Sequence, residues 1–195
     1  MALSYETFMK HAAKVVANET AAMRLRPQIS GIYHQADGSA IVTDAHRLYV
    51  ARGIHERHDE VILSPAGKRI DGTYPDVKRV IPSGNPKQAV SLHLDECLHV
   101  AETVQTLGDL YDIDATVEFK DNEIRYQSDE VKYRHTVPVE FEIRTCLRSS
   151  YLVDALKLMK AAGCHDIKLS FYGSNRPVIS EFNNLTILIS PIRTY

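Results

Sequence analysis

The stretch Val42-Thr43-Asp44-Ala45-His46-Arg47-Leu48 decides the fold, because its polar residues separate two short apolar runs. Ala40-Ile41-Val42-Thr43 leads into it and Arg47-Leu48-Tyr49-Val50 leads out of it, and both are rich in β-branched or aromatic residues. Upstream, Asp37-Gly38 is a strong hairpin signal. The sequence therefore predicts short antiparallel strands here.

The acid, imidazole and guanidinium of this stretch admit two interpretations. In the catalytic one, Asp44 and His46 act together as a general base. In the structural one, Asp44 accepts hydrogen bonds from turn amides at a strand end and Arg47 pairs with it locally. The local pattern implies no serine or cysteine nucleophile, and adjacent strand residues point to opposite faces. We favour the structural interpretation.

Three helices are predicted, each followed by strands. The apolar spacing predicts helices over Tyr5–Asn18, Asp95–Tyr111 and Ser149–Ala162, and Gly163 ends the last. Dense proline and glycine make residues 65–90 a connector. Strands are predicted at 28–33, 40–43, 47–50 and 60–63, then at 115–119, 123–127 and 131–141 with a turn at Lys120-Asp121-Asn122, and finally at 166–172, 176–182 and 185–192. This is an α+β fold built from a repeated unit.

The composition is that of an ordinary globular protein. Of its 195 residues, 44% are hydrophobic and 25% are charged, and the formal charge is -2. This balance argues against a basic nucleic-acid tail or a polybasic membrane anchor. No apolar run approaches the roughly 20 residues of a membrane span, and the first residues do not resemble a signal peptide. Three widely spaced cysteines favour reduced thiols, so a cytoplasmic location is expected.

No catalytic residue, metal site or cofactor is expected. His55 and His58 lie three residues apart in a charged loop, which is not the zinc-protease spacing, so solvated side chains are favoured over metal ligands. Cys97 and Cys146 lie in apolar surroundings, and Cys164 follows a helix C-terminus, where the dipole disfavours a thiolate. The sequence has no convergent nucleophile, base or metal cluster, so an enzyme is not expected.

The outward faces of the helices differ in charge. The first and third helices carry lysines at Lys10, Lys14, Lys157 and Lys160. Ordinary solubility is one interpretation, and a sparse phosphate-contacting surface is the other. The second helix has only acids on its polar side, at Asp95, Glu96, Glu102 and Asp109.

Three short motifs together resemble the bacterial DNA polymerase III beta subunit family, the sliding clamps. The family's Ala-Thr-Asp-Gly-His-Arg-Leu is similar to Val42–Leu48, and its Gly-x-Phe-Pro-Asp-Tyr-x-Arg-Val-x-Pro is similar to Gly72–Pro82. Its C-terminal Met-Pro-Met-Arg resembles Ser190-Pro191-Ile192-Arg193, and Ser150–Leu156 resembles the helix before the final strands more weakly. Ala45 replaces the motif glycine and Val77 replaces its tyrosine.

The resemblance implies a DNA-clamp-like fold, with helices on one face and sheets on the other. Residues 1–70 resemble the first half of the clamp's middle domain, and residues 71–195 resemble its whole last domain. The family has six half-domain units in a chain, whereas three are expected here. The resemblance thus implies a truncated homologue, of the kind that a phage or mobile element could encode.

The resemblance also implies a groove that docks short linear motifs rich in Gln, Leu and Phe, carried by polymerases and repair proteins. Its aliphatic walls would bury apolar side chains and its arginines would meet carbonyls or acids. The expected groove residues are Ile29, Thr43, His46, Arg47, Leu48, Pro75, Arg79, Val80, Tyr151, Val178, Ile189, Ser190, Pro191, Ile192 and Arg193.

Two functions follow from the resemblance. The first is a DNA replication processivity factor that oligomerises around double-stranded DNA, with Lys10, Lys14, Lys157 and Lys160 facing the duplex without sequence specificity. Closed symmetry would require four chains, or two chains that pair their incomplete halves. The alternative is a clamp-like peptide-binding module that does not encircle DNA and that recruits or sequesters clamp-binding proteins. The acidic second helix favours this alternative.

Overall fold

The computed structural model describes residues 3–17 and 24–192. The chain divides into two compact units. Unit 1 comprises Met1–Ile81, Ala161–Gly163 and Glu181–Leu188, and unit 2 comprises Pro82–Lys160, Cys164–Ser180 and Ile189–Tyr195. The assignment of residues 1–70 and 71–195 to two clamp domains stays a prediction. Within the described ranges, no helix is long and apolar enough to span a membrane.

The described residues contain three α-helices and eleven strands, so the α+β class is confirmed. Each predicted helix is present. The ends of the second and third helices differ from the prediction by at most one residue, and Asn18, the predicted end of the first helix, lies outside the described residues. The elements are α1 (Tyr5–Ala17), β1 (Ile32–His34), β2 (Ala40–Thr43), β3 (Arg47–Ala51), β4 (Val61–Leu63), β5 (Arg69–Ile70), β6 (Gln88–His93), α2 (Leu94–Leu110), β7 (Thr116–Gln127), β8 (Lys132–Arg148), α3 (Ser149–Ala161), β9 (Asp166–Phe171), β10 (Val178–Phe182) and β11 (Leu185–Ile189).

In unit 1, a sheet with the strand order β5-β4-β1-β2-β3-β11 packs one face against α1. In antiparallel pairs, directly opposite residues share a face and alternate residues change face. The α1 face therefore carries the cross-strand pair Val42 and Tyr49, which are fully buried. From α1, Phe8, Ala12 and Val15 are also fully buried, as the predicted apolar stripe requires.

The other face of this sheet carries the cross-strand pairs Ile41–Val50 and Thr43–Leu48, and Tyr33 lies opposite Ile41 on the same face. Predicted groove residues therefore lie in one row with residues that the motifs did not indicate. The connector reaches this face, because the Tyr74 ring stacks on the Tyr33 ring with centroids 5.1 Å apart.

In unit 2, β6 pairs with β9 and β9 pairs with β10, while β7 and β8 form a separate ribbon. Phe119, Phe141 and Phe171 contact one another edge to face at centroid distances of 5.2–6.0 Å. Both helices contribute extensive buried faces. The buried helix residues are Leu94, Cys97, Leu98, Val100, Ala101, Val104 and Gly108 of α2, with Ser149, Tyr151, Leu152, Val153, Ala155, Leu156, Leu158 and Met159 of α3.

The structure differs from the predicted strands in several places. Strand β5 lies within the predicted connector, β8 continues to Arg148, and β11 ends at Ile189. Residues 27–30 form a 3-10 turn, which Pro27 begins, so the strand predicted at 28–33 is limited to β1. Strand β6 lies at the end of the predicted connector, and its two buried residues, Val90 and Leu92, alternate with exposed ones. That alternation is a strand signal that the preceding prolines obscured.

The hairpin turn predicted at Lys120-Asp121-Asn122 is wrong, because Thr116–Gln127 is one continuous strand and both of its parts pair with β8. Arg125 Nε lies 2.5 Å from Glu118 Oε2, although seven residues of extended chain span about 23 Å. The chain must therefore bend sharply between these residues. Asp121, in the left-handed region with a φ of 53°, marks the bend, and the register against β8 shifts on either side of it.

Candidate functional site

The turn that joins β2 to β3 is built on Asp44. Its Oδ1 accepts hydrogen bonds from the backbone N–H groups of His46 (3.0 Å) and Arg47 (2.9 Å), and its Oδ2 lies 2.9 Å from Arg47 Nε. Both side chains are buried, with 0% of Asp44 and 2% of Arg47 exposed. The structural interpretation of this motif is confirmed. Arg47 thus stabilises the conformation of the turn from the interior of unit 1.

Ala45 occupies the tip of this turn with a φ of 73°. A left-handed backbone costs a residue with a Cβ about 1–2 kcal/mol, whereas glycine adopts it freely. This explains why a glycine suits the position in the motif that the stretch resembles. The chain therefore retains the turn shape with a less suitable residue.

Tyr74 joins the connector to this turn. Its hydroxyl oxygen accepts a hydrogen bond of 3.1 Å from the Thr43 backbone N–H, and its side chain is only 7% exposed. Burial raises the pKa of the Tyr74 hydroxyl far above its usual value. Thr43 in turn donates its hydroxyl to the Arg47 carbonyl oxygen at 2.7 Å. The connector and the turn are thus tied together within unit 1.

The predicted groove residues of unit 1 fall into two classes. The first class is buried and supports the surface residues from the interior; it consists of Ile29, Thr43, Arg47 and Leu48. The others can contact a ligand directly. They are His46, which is exposed, Pro75, which is half-buried, Arg79, whose side chain is 85% exposed, and Val80, which is 52% exposed.

The predicted groove residues of unit 2 lie on α3, β10 and β11 and directly after β11. Tyr151, Val178 and Ile189 are buried, and the Arg148 guanidinium lies 5.0 Å above the centre of the Tyr151 ring. Ser190, Pro191 and Ile192 are half-buried. The Ile192 N–H donates to the Cys146 carbonyl oxygen at 2.8 Å, which anchors this segment to β8. Arg193 lies outside the described residues.

The lysines predicted to face DNA on α3 are paired with acids of α2. Lys157 Nζ lies 2.8 Å from Glu102 Oε1, and Lys160 Nζ lies 2.7 Å from Asp95 Oδ1. The hydrogen bond from Lys160 lowers the pKa of the Asp95 carboxyl. On the same helix, Glu96 Oε1 lies 2.7 Å from His135 Nε2. The acidic side of α2 therefore offsets the positive charge that α3 was expected to present.

The lysines of α1 are differently placed. Lys10 and Lys14 are exposed and lie one helical turn apart, on the side of α1 away from its buried stripe. Both side chains are therefore open to solvent, and their role at a phosphate-contacting surface stays a prediction.

The motifs did not indicate a second polar cluster, which consists of Tyr5, His34 and His55. The Tyr5 hydroxyl lies 2.9 Å from Nε2 of the fully buried His34, whose Nδ1 lies 3.1 Å from the Ile32 carbonyl oxygen. The His34 and His55 rings are 5.1 Å apart. Burial lowers the pKa of His34, and the neighbouring His55 lowers it further.

These contacts indicate which ring nitrogen of each histidine donates a hydrogen bond. His34 Nδ1 must donate to a carbonyl oxygen, so its Nε2 accepts from Tyr5. His55 Nε2 donates to the Ser39 carbonyl oxygen at 2.9 Å, and its Nδ1 accepts from the Arg57 N–H at 3.2 Å. His55 therefore has a structural contact in unit 1, which its charged surroundings in the sequence did not indicate.

All three cysteines are buried, and none of them forms a disulfide. Burial raises the pKa of the Cys97 thiol to about 12 and also raises that of Cys164. Neither thiol is suited to nucleophilic chemistry at neutral pH.

Solved structures with the same fold were found by comparison. A protein from Eubacterium rectale assigned as a DNA polymerase III beta subunit has a TM-score of 0.79 at 12% identity, over 96% of this chain and 64% of its own. The Bacillus subtilis DNA polymerase sliding clamp has a TM-score of 0.76 at 20% identity, over 96% and 63%. The Helicobacter pylori beta clamp, solved bound to a DNA ligase peptide, has a TM-score of 0.74 at 17% identity, over 96% and 62%.

No protein-family model and no curated protein matches the sequence. The chain spans less than two thirds of the length of the three solved structures. The likeness extends over nearly the whole chain at identities of 12–20%. The chain therefore has the fold of the bacterial DNA polymerase III beta sliding clamps.

Proposed function

We propose that this protein docks short linear peptides, rich in Gln, Leu and Phe, that polymerases and DNA-repair proteins carry. The observation that carries the proposal is the hydrogen bond from Thr43 to Tyr74, which ties the β2–β3 turn to the connector. This tie fixes the turn that bears His46 relative to the segment that bears Pro75, Arg79 and Val80. The peptide bound to the Helicobacter pylori clamp supports the proposal through the shared fold.

The exposed residues supply the chemistry that such a peptide requires. Val80 and Pro75 offer apolar surface, whose burial stabilises a complex by about 25 cal/mol per Å². Arg79 and His46 offer donors for peptide carbonyl or carboxylate oxygens. Arg79 Nε already donates to Asp76 Oδ2 at 3.1 Å, but this pair is exposed and can rearrange at little cost.

Fluorescence anisotropy with a labelled Gln-Leu-x-Leu-Phe peptide tests this proposal. We expect saturable binding to the wild-type chain that Val80→Asp weakens, since the substitution places a charge on the apolar contact. Leu48→Asp and Tyr151→Ala are also expected to weaken binding, but both side chains are buried, so their stability must be measured as well.

We also propose that the chain self-associates. Leu110, Tyr111 and Ile113, at the end of α2, are exposed by 73%, 42% and 38% and lie within four residues of one another. Large apolar side chains exposed so close together in the sequence are candidates for an interaction surface. Light scattering coupled to size exclusion gives the mass directly. A monomer that persists at high concentration, and that Leu110→Asp leaves unchanged, would contradict self-association.

Encirclement of double-stranded DNA is the further step that a processivity factor requires. Lys10 and Lys14 support it, whereas the pairing of Lys157 and Lys160 with α2 acids favours the alternative of a peptide-binding module that does not encircle DNA. Retention on nicked circular DNA separates the two functions. A processivity ring is retained and is lost when the circle is linearised, whereas the module is not retained on either form.

A further inference from the structure

A concave site lies in unit 1, and Pro75, one of the proposed docking residues, lines it. It is a cavity of about 550 Å³, within the range of about 300–1,000 Å³ typical of ligand sites. Its lining residues come from β1 to β3 and from the connector. They are Tyr33, Gln35, Asp37, Ser39, Ile41, Val50, Arg52, Tyr74, Pro75, Asp76, Val77, Lys78 and Ile81.

The floor of this cavity continues the sheet face of the proposed docking site. Ile41 and Val50 line the cavity and form the cross-strand pair next to Thr43 and Leu48 on the same face. Pro75 belongs both to the cavity lining and to the predicted groove. A peptide on the docking residues therefore needs only a few more residues to reach the cavity, because a strand advances about 3.3 Å per residue.

The acids at the cavity mouth are already engaged. Asp37 Oδ1 accepts from the Ser39 N–H at 2.9 Å, and this bond lowers the pKa of its carboxyl. Asp76 accepts from the Lys78 N–H and from Arg79 Nε, each at 3.1 Å. Both carboxylates therefore shape the loops that bound the cavity.

The cations at the mouth are better placed for a ligand. Lys78 is exposed, and its charge helps to lower the pKa of the Asp37 carboxyl. Arg52 donates from one terminal nitrogen to the Thr186 hydroxyl at 2.9 Å, which orients its guanidinium. The apolar floor and these two cations are complementary to a hydrophobic side chain next to a carboxylate, which would compete with Asp37 for Lys78.

We propose that this cavity is an accessory subsite that binds an acidic-hydrophobic flank of the docking peptide, such as an Asp-Leu pair. The leucine would lie on Ile41 and Val50, and the aspartate would meet Lys78 and Arg52. This inference rests on the proposed peptide docking, and it adds a determinant that distinguishes partners sharing one core motif.

The test compares the core peptide Gln-Leu-x-Leu-Phe with versions extended by Asp-Leu at either end. We expect one extension to tighten binding to the wild-type chain about 5–10-fold, which corresponds to about 1–1.4 kcal/mol. Lys78→Glu should remove this gain and leave the affinity for the core peptide unchanged. Lys68→Glu, an equal charge change at an exposed site outside the cavity, should preserve the gain.

Methyl NMR on Ile41 and Val50 reads the cavity directly. The extended peptide should shift these methyl signals beyond the effect of the core peptide. Core binding with no gain and no further shift from either extension would overturn the subsite alone. If the core peptide does not bind, the proposed docking function is contradicted. If, in addition, neither extended peptide shifts the methyl signals of Ile41 and Val50, the subsite is contradicted as well.

Discussion

The Arg47 guanidinium lies 2.9 Å from the Asp44 carboxylate, and both side chains are buried inside the turn between β2 and β3. The same carboxylate accepts two backbone N–H groups. Asp44 therefore stabilises a turn that exposes His46 at the surface, although an Asp and a His this close in the sequence resemble a catalytic pair. The stability of this turn governs the shape of the proposed docking site.

Removing the charge of Asp44 should destabilise unit 1 strongly. Asp44→Asn breaks the buried ion pair with Arg47, and breaking such a pair by changing one partner typically costs about 3–5 kcal/mol. Chemical denaturation gives the free energy of unfolding. Asp76→Asn is a matched control, because Asp76 and Arg79 have the same sequence spacing but are exposed, and such pairs contribute at most about 1 kcal/mol. Equal losses in the two variants would contradict the structural role of the buried pair.

Ala45→Gly should stabilise the protein by about 0.5–1 kcal/mol. Glycine relieves the cost of the left-handed backbone at position 45, which is about 1–2 kcal/mol. Part of this gain is lost because glycine gives up more chain entropy than alanine on folding. Thermal unfolding of the variant measures it. Ala66→Gly, in a turn of ordinary φ, should instead lose stability. A loss in the Ala45→Gly variant as well would show that the turn differs from the described geometry.

Mild acid should weaken the docking of α1 on the sheet. The folded-state pKa of His34 is lowered, so the unfolded chain binds the proton more readily. The contribution of this group is fully present above the unfolded pKa of about 6.5 and is lost progressively as the pH falls below that value. The lowered carboxyl pKa values of Asp37, Asp59, Asp95 and Glu118 place their effects at a lower pH.

Denaturation at pH 7.5 and pH 5.5 checks this prediction. His34→Gln should reduce the loss of stability between the two pH values, because the titrating ring is gone. His58→Gln, at an exposed position, should keep the wild-type pH dependence. An unchanged pH dependence in the His34 variant would assign the acid sensitivity to another group.

Releasing the α3 lysines should raise affinity for DNA. In the double variant Asp95→Asn, Glu102→Gln, the ammonium groups of Lys160 and Lys157 lose their partners. Binding to linear duplex should strengthen about 3–10-fold at low salt and approach wild type at high salt. The control Glu56→Gln, Asp71→Asn makes the same charge change at exposed sites of unit 1. Equal gains in both double variants would show that the higher affinity comes from net charge alone, and would contradict a specific release of the α3 lysines.

The sequence was sufficient for elements that depend on local signals. Phe8, Ala12 and Val15 repeat at helical spacing, and all three are buried in α1. Asp37-Gly38 predicted a turn, and Gly38 has the positive φ of 85° that such a turn requires. Asp44 was favoured as a turn acceptor since it directly follows a strand, and its hydrogen bonds confirm this.

What depends on tertiary contact could not be predicted. From the sequence alone, Lys157 and Lys160 are expected to be solvated. Their acidic partners are evident only once α2 and α3 are placed next to each other. Tyr5 and His34 are 29 residues apart and meet only because α1 packs on that face of the sheet. The hydrogen bond between Thr43 and Tyr74 joins residues that are 31 positions apart in the sequence. Its one indication in the sequence is that Tyr74 stands where the family motif has phenylalanine.

Peptide docking is the central claim, and titration of the Gln-Leu-x-Leu-Phe peptide into the wild-type chain tests it most directly. We expect saturable binding with a dissociation constant in the micromolar range or tighter, weakened at least about 5-fold by Val80→Asp, a change of about 1 kcal/mol. Lys87→Asp, at a site outside the docking residues, should bind as wild type does. No binding at high micromolar peptide, or equal binding by the wild-type and Val80→Asp chains, would contradict the account.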